Sequence, residues 1–135
     1  MTINIYCDGG SRGNPGPAAS AFVGFNEEGR VVAKFAKTLG VATNNVAEYK
    51  AVLMALTWAV GNWTGDVTFF LDSQLIVNQL TGKFRIKNKQ LMKIVVEIKS
   101  LEESFSGKIR YKHVPREKNK IADTLVNRTL DAEDK

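Results

Sequence analysis

Cysteine and histidine are almost missing from this chain of 135 residues, which has one of each, Cys7 and His113. A lone cysteine excludes an internal disulfide and a cysteine-built zinc site. Long apolar runs are missing too, since none approaches the roughly 18 residues that a membrane helix needs. The opening Met1-Thr2-Ile3-Asn4-Ile5 lacks the basic stretch and long apolar core of a secretory signal. These absences point to a cytoplasmic location with no membrane partner. Apolar residues make up 44% and charged residues 24%, which argues against disorder, collagen or a coiled coil. The length suits one domain over residues 1–135, because domains commonly run to about 100–150 residues.

Charge is unevenly spread. Residues 81–120 hold 12 of the 19 Lys and Arg but 4 of the 14 Asp and Glu, a net +8, while the other 95 residues carry −3. A basic segment beside a mildly acidic body suggests an anionic partner. A merely solvated basic face fits the same numbers.

Hydrophobic period orders the elements. Residues 2–8 alternate as a strand, with Ile3, Ile5 and Cys7 on one side. Residues 9–17 have turn chemistry throughout. Residues 18–25 and 30–39 read as two further strands around Asn26-Glu27-Glu28-Gly29. Helical spacing covers 43–60, with Thr43 and Asn44 as good N-caps. A short apolar strand follows at 67–72, then helices at 73–80 and 88–104 around a basic connector. A last strand at 108–114 and a last helix at 119–131 complete the chain, and the acidic end, 131–135, is expected to fray. The order βββαβααβα predicts an α/β fold, a mixed sheet with helices on both faces.

Four carboxylates stand out. Asp8 and Asp72 end the first and fourth strands, and sites in open α/β sheets form outside such ends. If those strands are parallel neighbours, the two side chains lie together, which repulsion opposes unless a cation or a proton intervenes. Glu48 tops an apolar stripe continued by Val52, Ala55 and Ala59, and Asp123 tops one continued by Val126 and Leu130. Inward-facing carboxylates are rare unless paired or metal-bound. Each has a structural alternative: Asp8 opening a turn, Asp72 capping the next helix, Glu48 and Asp123 complementing helix N-termini. Together, with no cysteine pair and one histidine, they favour an oxygen-liganded cation, Mg²⁺ or Mn²⁺. Gly10, Gly13 and Gly16 do not form a nucleotide loop: their spacing is G-x-x-G-x-x-G, and a strand follows instead of a helix.

The segments around these residues resemble one family. Asp8-Gly9-Gly10-Ser11-Arg12-Gly13-Asn14-Pro15-Gly16 resembles the opening signature of type 1 ribonuclease H. Thr43-Asn44-Asn45-Val46-Ala47-Glu48, Leu71-Asp72-Ser73-Gln74 and the stretch from His113 to Asp123 are similar to its later motifs, in order. The resemblance spans the chain. It implies a five-stranded mixed sheet in the order 3-2-1-4-5, flanked by helices, and a monomer. It also implies an endoribonuclease that cuts the RNA strand of RNA–DNA hybrids, leaving 5′-phosphate and 3′-hydroxyl ends. Asp8, Glu48, Asp72 and Asp123 map onto the family's metal-holding set, with two Mg²⁺ ions in the substrate complex and Mn²⁺ as substitute. Telling RNA from DNA requires reading the 2′-hydroxyl, for which Glu48 and the backbone near Gly10 and Ser11 are candidates. By the same resemblance Asn14, Asn44, Asn45 and Gln74 contact the minor groove, and Thr43 a DNA phosphate. Turn and cap chemistry is the alternative for these polar residues.

Three departures qualify the resemblance. The loop histidine of many relatives has two counterparts here, His113 and Arg116, of which Arg116 is favoured as the group assisting product release. The long basic protrusion is absent, leaving Lys83, Arg85 and Lys87 in a short connector to add salt-sensitive phosphate affinity. No appended hybrid-binding domain is expected. Trp58, Trp63, Phe69 and Phe70 read as core, and Phe84 as a candidate substrate contact. Double-stranded RNA stays open as a substrate. The rivals are a non-catalytic nucleic-acid binder, which would not require four carboxylates, and a resolvase or transposase core, which the short length and Asn44-Asn45 disfavour.

Overall fold

Alternation in the first strand sets the centre of the sheet. In β1 (Thr2–Ser11), Ile3, Ile5 and Cys7 are buried, while Asn4 and Tyr6 turn to the opposite face. β1 pairs antiparallel with β2 (Gly16–Phe25), which pairs antiparallel with β3 (Val31–Ala42). On its other side β1 runs parallel to β4 (Asp66–Leu71), and β4 parallel to β5 (Ile109–His113). The order is β3-β2-β1-β4-β5, as expected. The computed structural model describes residues 1–133.

A parallel β1–β4 pair needs a crossover, and α1 (Asn44–Asn62) supplies it. Thr43 caps this helix by accepting from the Val46 N–H. α2 (Gln74–Leu80) and α3 (Lys89–Ser104), capped by Ser73 and Asn88, lead from β4 to β5. A 3₁₀ turn at Arg116–Lys118 precedes α4 (Lys120–Glu133). The main core joins Ile3, Ile5, Phe69 and Leu71 of the sheet to Val52 and Leu56 of α1, Ile76 of α2 and Ile98 of α3. A smaller cluster joins Ala19 and Ala21 of β2 to Val126 and Leu130 of α4. α4 thus covers the β2 side of the second face.

The structure moves several expected boundaries. The turn shrinks from 9–17 to 12–15, because Gly9, Gly10 and Ser11 pair with Ser20, Ala19 and Ala18 and carry both strands further. The Asn14–Pro15 bond in that turn is cis. β3 runs on to Ala42, α1 to Asn62, and Asp72 lies one residue beyond β4. The tail expected to fray is helical through Glu133, with Asp131 held by Arg12 at 2.5 Å. Residues 134–135 lie outside the described residues. Trp58, Trp63 and Phe69 pack in or against the core. Phe70 does not: alternation turns it to the other face, where it stacks on Tyr6.

One contact positions α1. Ala47, Ala51, Ala55 and Ala59 are all fully buried, and at the start of this ridge the helix backbone lies against Gly9. A Cβ added at Gly9 would stand 2.2 Å from the Ala47 carbonyl carbon and 2.4 Å from the Glu48 nitrogen. Ser20, paired with Gly9 across the ladder, donates its buried hydroxyl to the Ala47 carbonyl at 2.6 Å. Gly9→Ala must push α1 off the sheet, and overpacking of this kind costs about 3 kcal/mol. Ser20→Ala loses one buried hydrogen bond, about 1 kcal/mol. Urea unfolding reads both; a Gly9→Ala cost as small as a surface change, about 0.5 kcal/mol, contradicts the close packing.

Candidate active site

The end of the sheet where β1 and β4 finish carries a cleft of about 450 Å³. Asp8 reaches it from β1, Glu48 from the first turns of α1, Asp72 from just past β4, and Asp123 from the first turn of α4. All four predicted carboxylates therefore line one cavity, with Gly10, Ser11 and Asn44 beside them. Arg116 lines it too, from the 3₁₀ turn. His113 does not: it ends β5, exposed, in register with Leu71.

Like charges at close quarters leave a signature. Burial pushes the Asp8 carboxyl up to about 8, and the neighbouring charges of Asp72, Glu48 and Asp123 add to the rise, partly offset by the Gly9 N–H. Glu48 rises to about 7, through burial and then Asp72, while Arg116 pulls it back. The set offers oxygen donors only, which fits a hard divalent cation and not a thiolate or imidazole metal. Among the described residues, however, no three His, Cys, Asp or Glu side chains close into a ready metal cage. The four share a cleft without converging on one point.

The other predicted contacts divide into two groups. Asn44 Oδ1 accepts from the Ser11 N–H at 2.8 Å and from its hydroxyl at 3.1 Å, and Asn14 Oδ1 accepts from the Asn44 N–H at 3.0 Å. These bonds tie the β1–β2 turn to the start of α1, so Asn14, Thr43 and Asn44 carry out the turn and cap chemistry that was their alternative. Asn44 still lines the cleft. Asn45 is exposed on the first turn of α1, and Gln74, exposed at the start of α2, donates to Asn78 Oδ1 at 3.1 Å. Lys83, Arg85 and Lys87 are exposed between α2 and α3, outside the cleft lining.

Two residues near the site had been assigned no role. Asn119 is buried, and its Nδ2 donates to the Cys7 carbonyl at 2.8 Å and to Asp72 Oδ2 at 3.2 Å. Its backbone carbonyl accepts from the Asp123 N–H, so one side chain and one carbonyl join β1, Asp72 and Asp123. Its Oδ1 is buried without a partner. The sequence signal was an asparagine just before a helix and four residues before an inward-facing aspartate. Arg12, opposite in the cleft lining, binds Asp131.

Comparison with known proteins bears on the family and the fold. A family model described as reverse transcriptase-like matches residues 6–129. A ribonuclease HI of Halobacterium salinarum is 41% identical over 129 residues, covering 96% of this chain and 64% of that protein. A bifunctional protein of Mycobacterium tuberculosis is 40% identical over 133 residues, covering 98% of this chain. This chain spans 36% of that relative's length. The crystal structure of RNase H1 from Halobacterium salinarum superposes with a TM-score of 0.92 at 40% identity, covering 98% of this chain and 99% of the other. LC11-RNase H1, solved in complex with an RNA/DNA hybrid, gives 0.94 at 36% identity over 98% and 99%.

The raised carboxylates set a pH dependence. The folded protein holds on Asp8 a proton that the unfolded chain releases near pH 4, so stability without metal falls as pH rises from about 4 to about 8, then levels. Asp8→Asn makes that fall shallower, leaving the part due to Glu48 up to about pH 7, and raises the melting temperature at pH 8 by on the order of 5 °C. Thermal unfolding in chelator at several pH values reads this. A melting temperature that climbs with pH over the interval, or an Asp8→Asn variant with the slope of the parent, contradicts it.

Proposed function

The chain belongs to the type 1 ribonuclease H family, and from that membership we propose that it is an endoribonuclease hydrolysing the RNA strand of RNA–DNA hybrids. The supporting observation is the gathering of Asp8, Glu48, Asp72, Asp123 and Arg116 in one open cleft.

On this reading the four carboxylates hold Mg²⁺, two ions in the substrate complex, with Mn²⁺ as a substitute. When bound, the ions supply positive charge that activates water and steadies the leaving oxygen, giving 5′-phosphate and 3′-hydroxyl ends. The chain's own groups do the rest. Asn119 orients Asp72 and leaves its other oxygen outward. Gly10, lacking a side chain, and the Ser11 backbone let a sugar edge approach the strand end. Glu48, at the lip of the cleft, accepts from the 2′-hydroxyl that distinguishes RNA. Arg116, whose charge already reaches Glu48, draws the cut phosphate out of the cleft; His113, outside the lining, is the weaker candidate. Asn45 and Gln74 reach the minor groove from exposed helix starts, together with Asn44. Lys83, Arg85 and Lys87 add sequence-independent attraction to phosphates.

End-labelled RNA–DNA hybrid, RNA duplex and DNA duplex, each incubated with Mg²⁺ or chelator, test the proposal. Metal-dependent cleavage of RNA in the hybrid is expected, falling at least 10³-fold in Asp72→Asn, the scale on which removal of an essential electrostatic group acts. The RNA duplex arm decides whether double-stranded RNA is also a substrate. Binding of the hybrid without cleavage in either Mg²⁺ or Mn²⁺ would overturn the catalytic reading in favour of a binding module.

A further inference from the structure

The nuclease reading leaves half of one sheet face without a role. α4 packs on β2, β1 and β3, and over β4 and β5 the face presents exposed Arg110 and Lys112 beside half-buried Tyr6 and Phe70. Strand register decides what stands there. Tyr6 pairs with Phe70 and Phe70 with Lys112; Asn4 pairs with Thr68 and Thr68 with Arg110. Tyr6 and Phe70 stack with centroids 4.7 Å apart, and Phe25 meets Tyr6 edge-on at 5.8 Å. Beside them opens a cavity of about 490 Å³, floored by Asn4, Tyr6 and Phe25 and walled by Lys118 and Lys120. Glu27 and Glu117 also line it. Glu27 is engaged by the Thr2 N–H at 2.7 Å, and exposed Arg110 and Lys112 leave the face net positive.

We propose that this face is a second nucleic-acid site, taking a nucleotide unit of single-stranded nucleic acid. The base lies against Tyr6 and Phe25, Asn4 offers its amide to the base edge, and Lys118 and Lys120, with exposed Lys112 beside Phe70, take the phosphates. Aromatic surface beside cations is the combination that holds single strands without sequence preference. A purely apolar partner would leave four cations unmatched, and a small anion would leave the aromatic floor unused. Position supports the same occupant. The 3₁₀ turn separates the two cavities, with Arg116 in the cleft and Lys118 in the second cavity. A strand that leaves the cleft past this turn meets the aromatic floor next. The site stands independently of the nuclease reading, since binding here needs no metal.

The test uses the full chain in chelator with a short labelled oligothymidine, read by fluorescence anisotropy and by amide NMR. Its counterpart carries Lys112→Gln, Lys118→Gln and Lys120→Gln together. The parent binds with amide shifts at Tyr6, Phe25 and Ile121. The triple variant binds at least ten-fold more weakly, and its salt slope is smaller by about 2, as three lost phosphate contacts to a single strand require. Cleavage of a blunt hybrid by the triple variant stays within two-fold of the parent. A parallel titration with a nucleoside monophosphate separates the sources: shifts at the same amides assign the site to free nucleotides as well, and shifts with the oligonucleotide alone assign it to strands. Oligonucleotide shifts confined to Gly10, Ser11 and Glu48, or undiminished affinity in the triple variant, would overturn the proposal.

Discussion

The first turn of α1 lies on Gly9 with no room for a side chain between them, and the site depends on this contact. Gly9 leaves the space, and the Ser20 hydroxyl on the neighbouring strand fastens the Ala47 carbonyl above it. The next residue in the helix is Glu48. A strand residue with a Cβ would lift the helix and carry that carboxylate away from Asp8, the residue before Gly9 in β1. Packing in the interior thus sets the separation of charges at the surface. The alanine ridge that follows Ala47 stays fully buried as far as Ala59, so the core and the cleft are parts of one arrangement.

Gathering carboxylates works against folding stability. Burial and mutual repulsion raise Asp8 and Glu48, and the protein offsets only part of this with the Gly9 N–H and the Arg116 charge. On the proposed function, a divalent ion would relieve the repulsion that the fold leaves in place. Strain of this kind at a functional site is compensated elsewhere, here by a continuous core shared by the sheet, α1, α2 and α3. The same turn that brings Arg116 to the cleft turns Lys118 away from it, so one short segment serves both cavities.

Much of the architecture was legible because period and burial agree. The alternation of Ile3, Ile5 and Cys7, the stripes below Glu48 and Asp123, and the cap at Thr43 each specify an element and its inward face. The sheet order and the family came from motif resemblance, not from periodicity. What escaped the sequence was non-local. Gly9, Gly10 and Ser11 have turn composition, yet pairing with Ala18–Ser20 makes them strand. Phe70 is apolar in an apolar strand, yet parity places it outside the main core, against Tyr6. Asn119 looks like an ordinary helix cap, and only the meeting of β1, β4 and α4 shows that its side chain reaches Asp72. The acidic composition of the tail suggested fraying, but Asp131 has Arg12 as a partner from the other end of the chain.

Backbone packing at Gly9 brings Glu48 to the cleft that Asp8, Asp72 and Asp123 also line, and the proposed function requires that all four respond to one divalent cation. Paramagnetic broadening by Mn²⁺, followed by amide NMR without substrate, tests it most directly. Amides beside all four carboxylates, at Gly9, Tyr49, Ser73 and Thr124, are expected to broaden together at the same Mn²⁺ concentration and to recover on addition of chelator. Broadening that spares Glu48 and its neighbours, or that spreads over the surface without focus on the cleft, would contradict it.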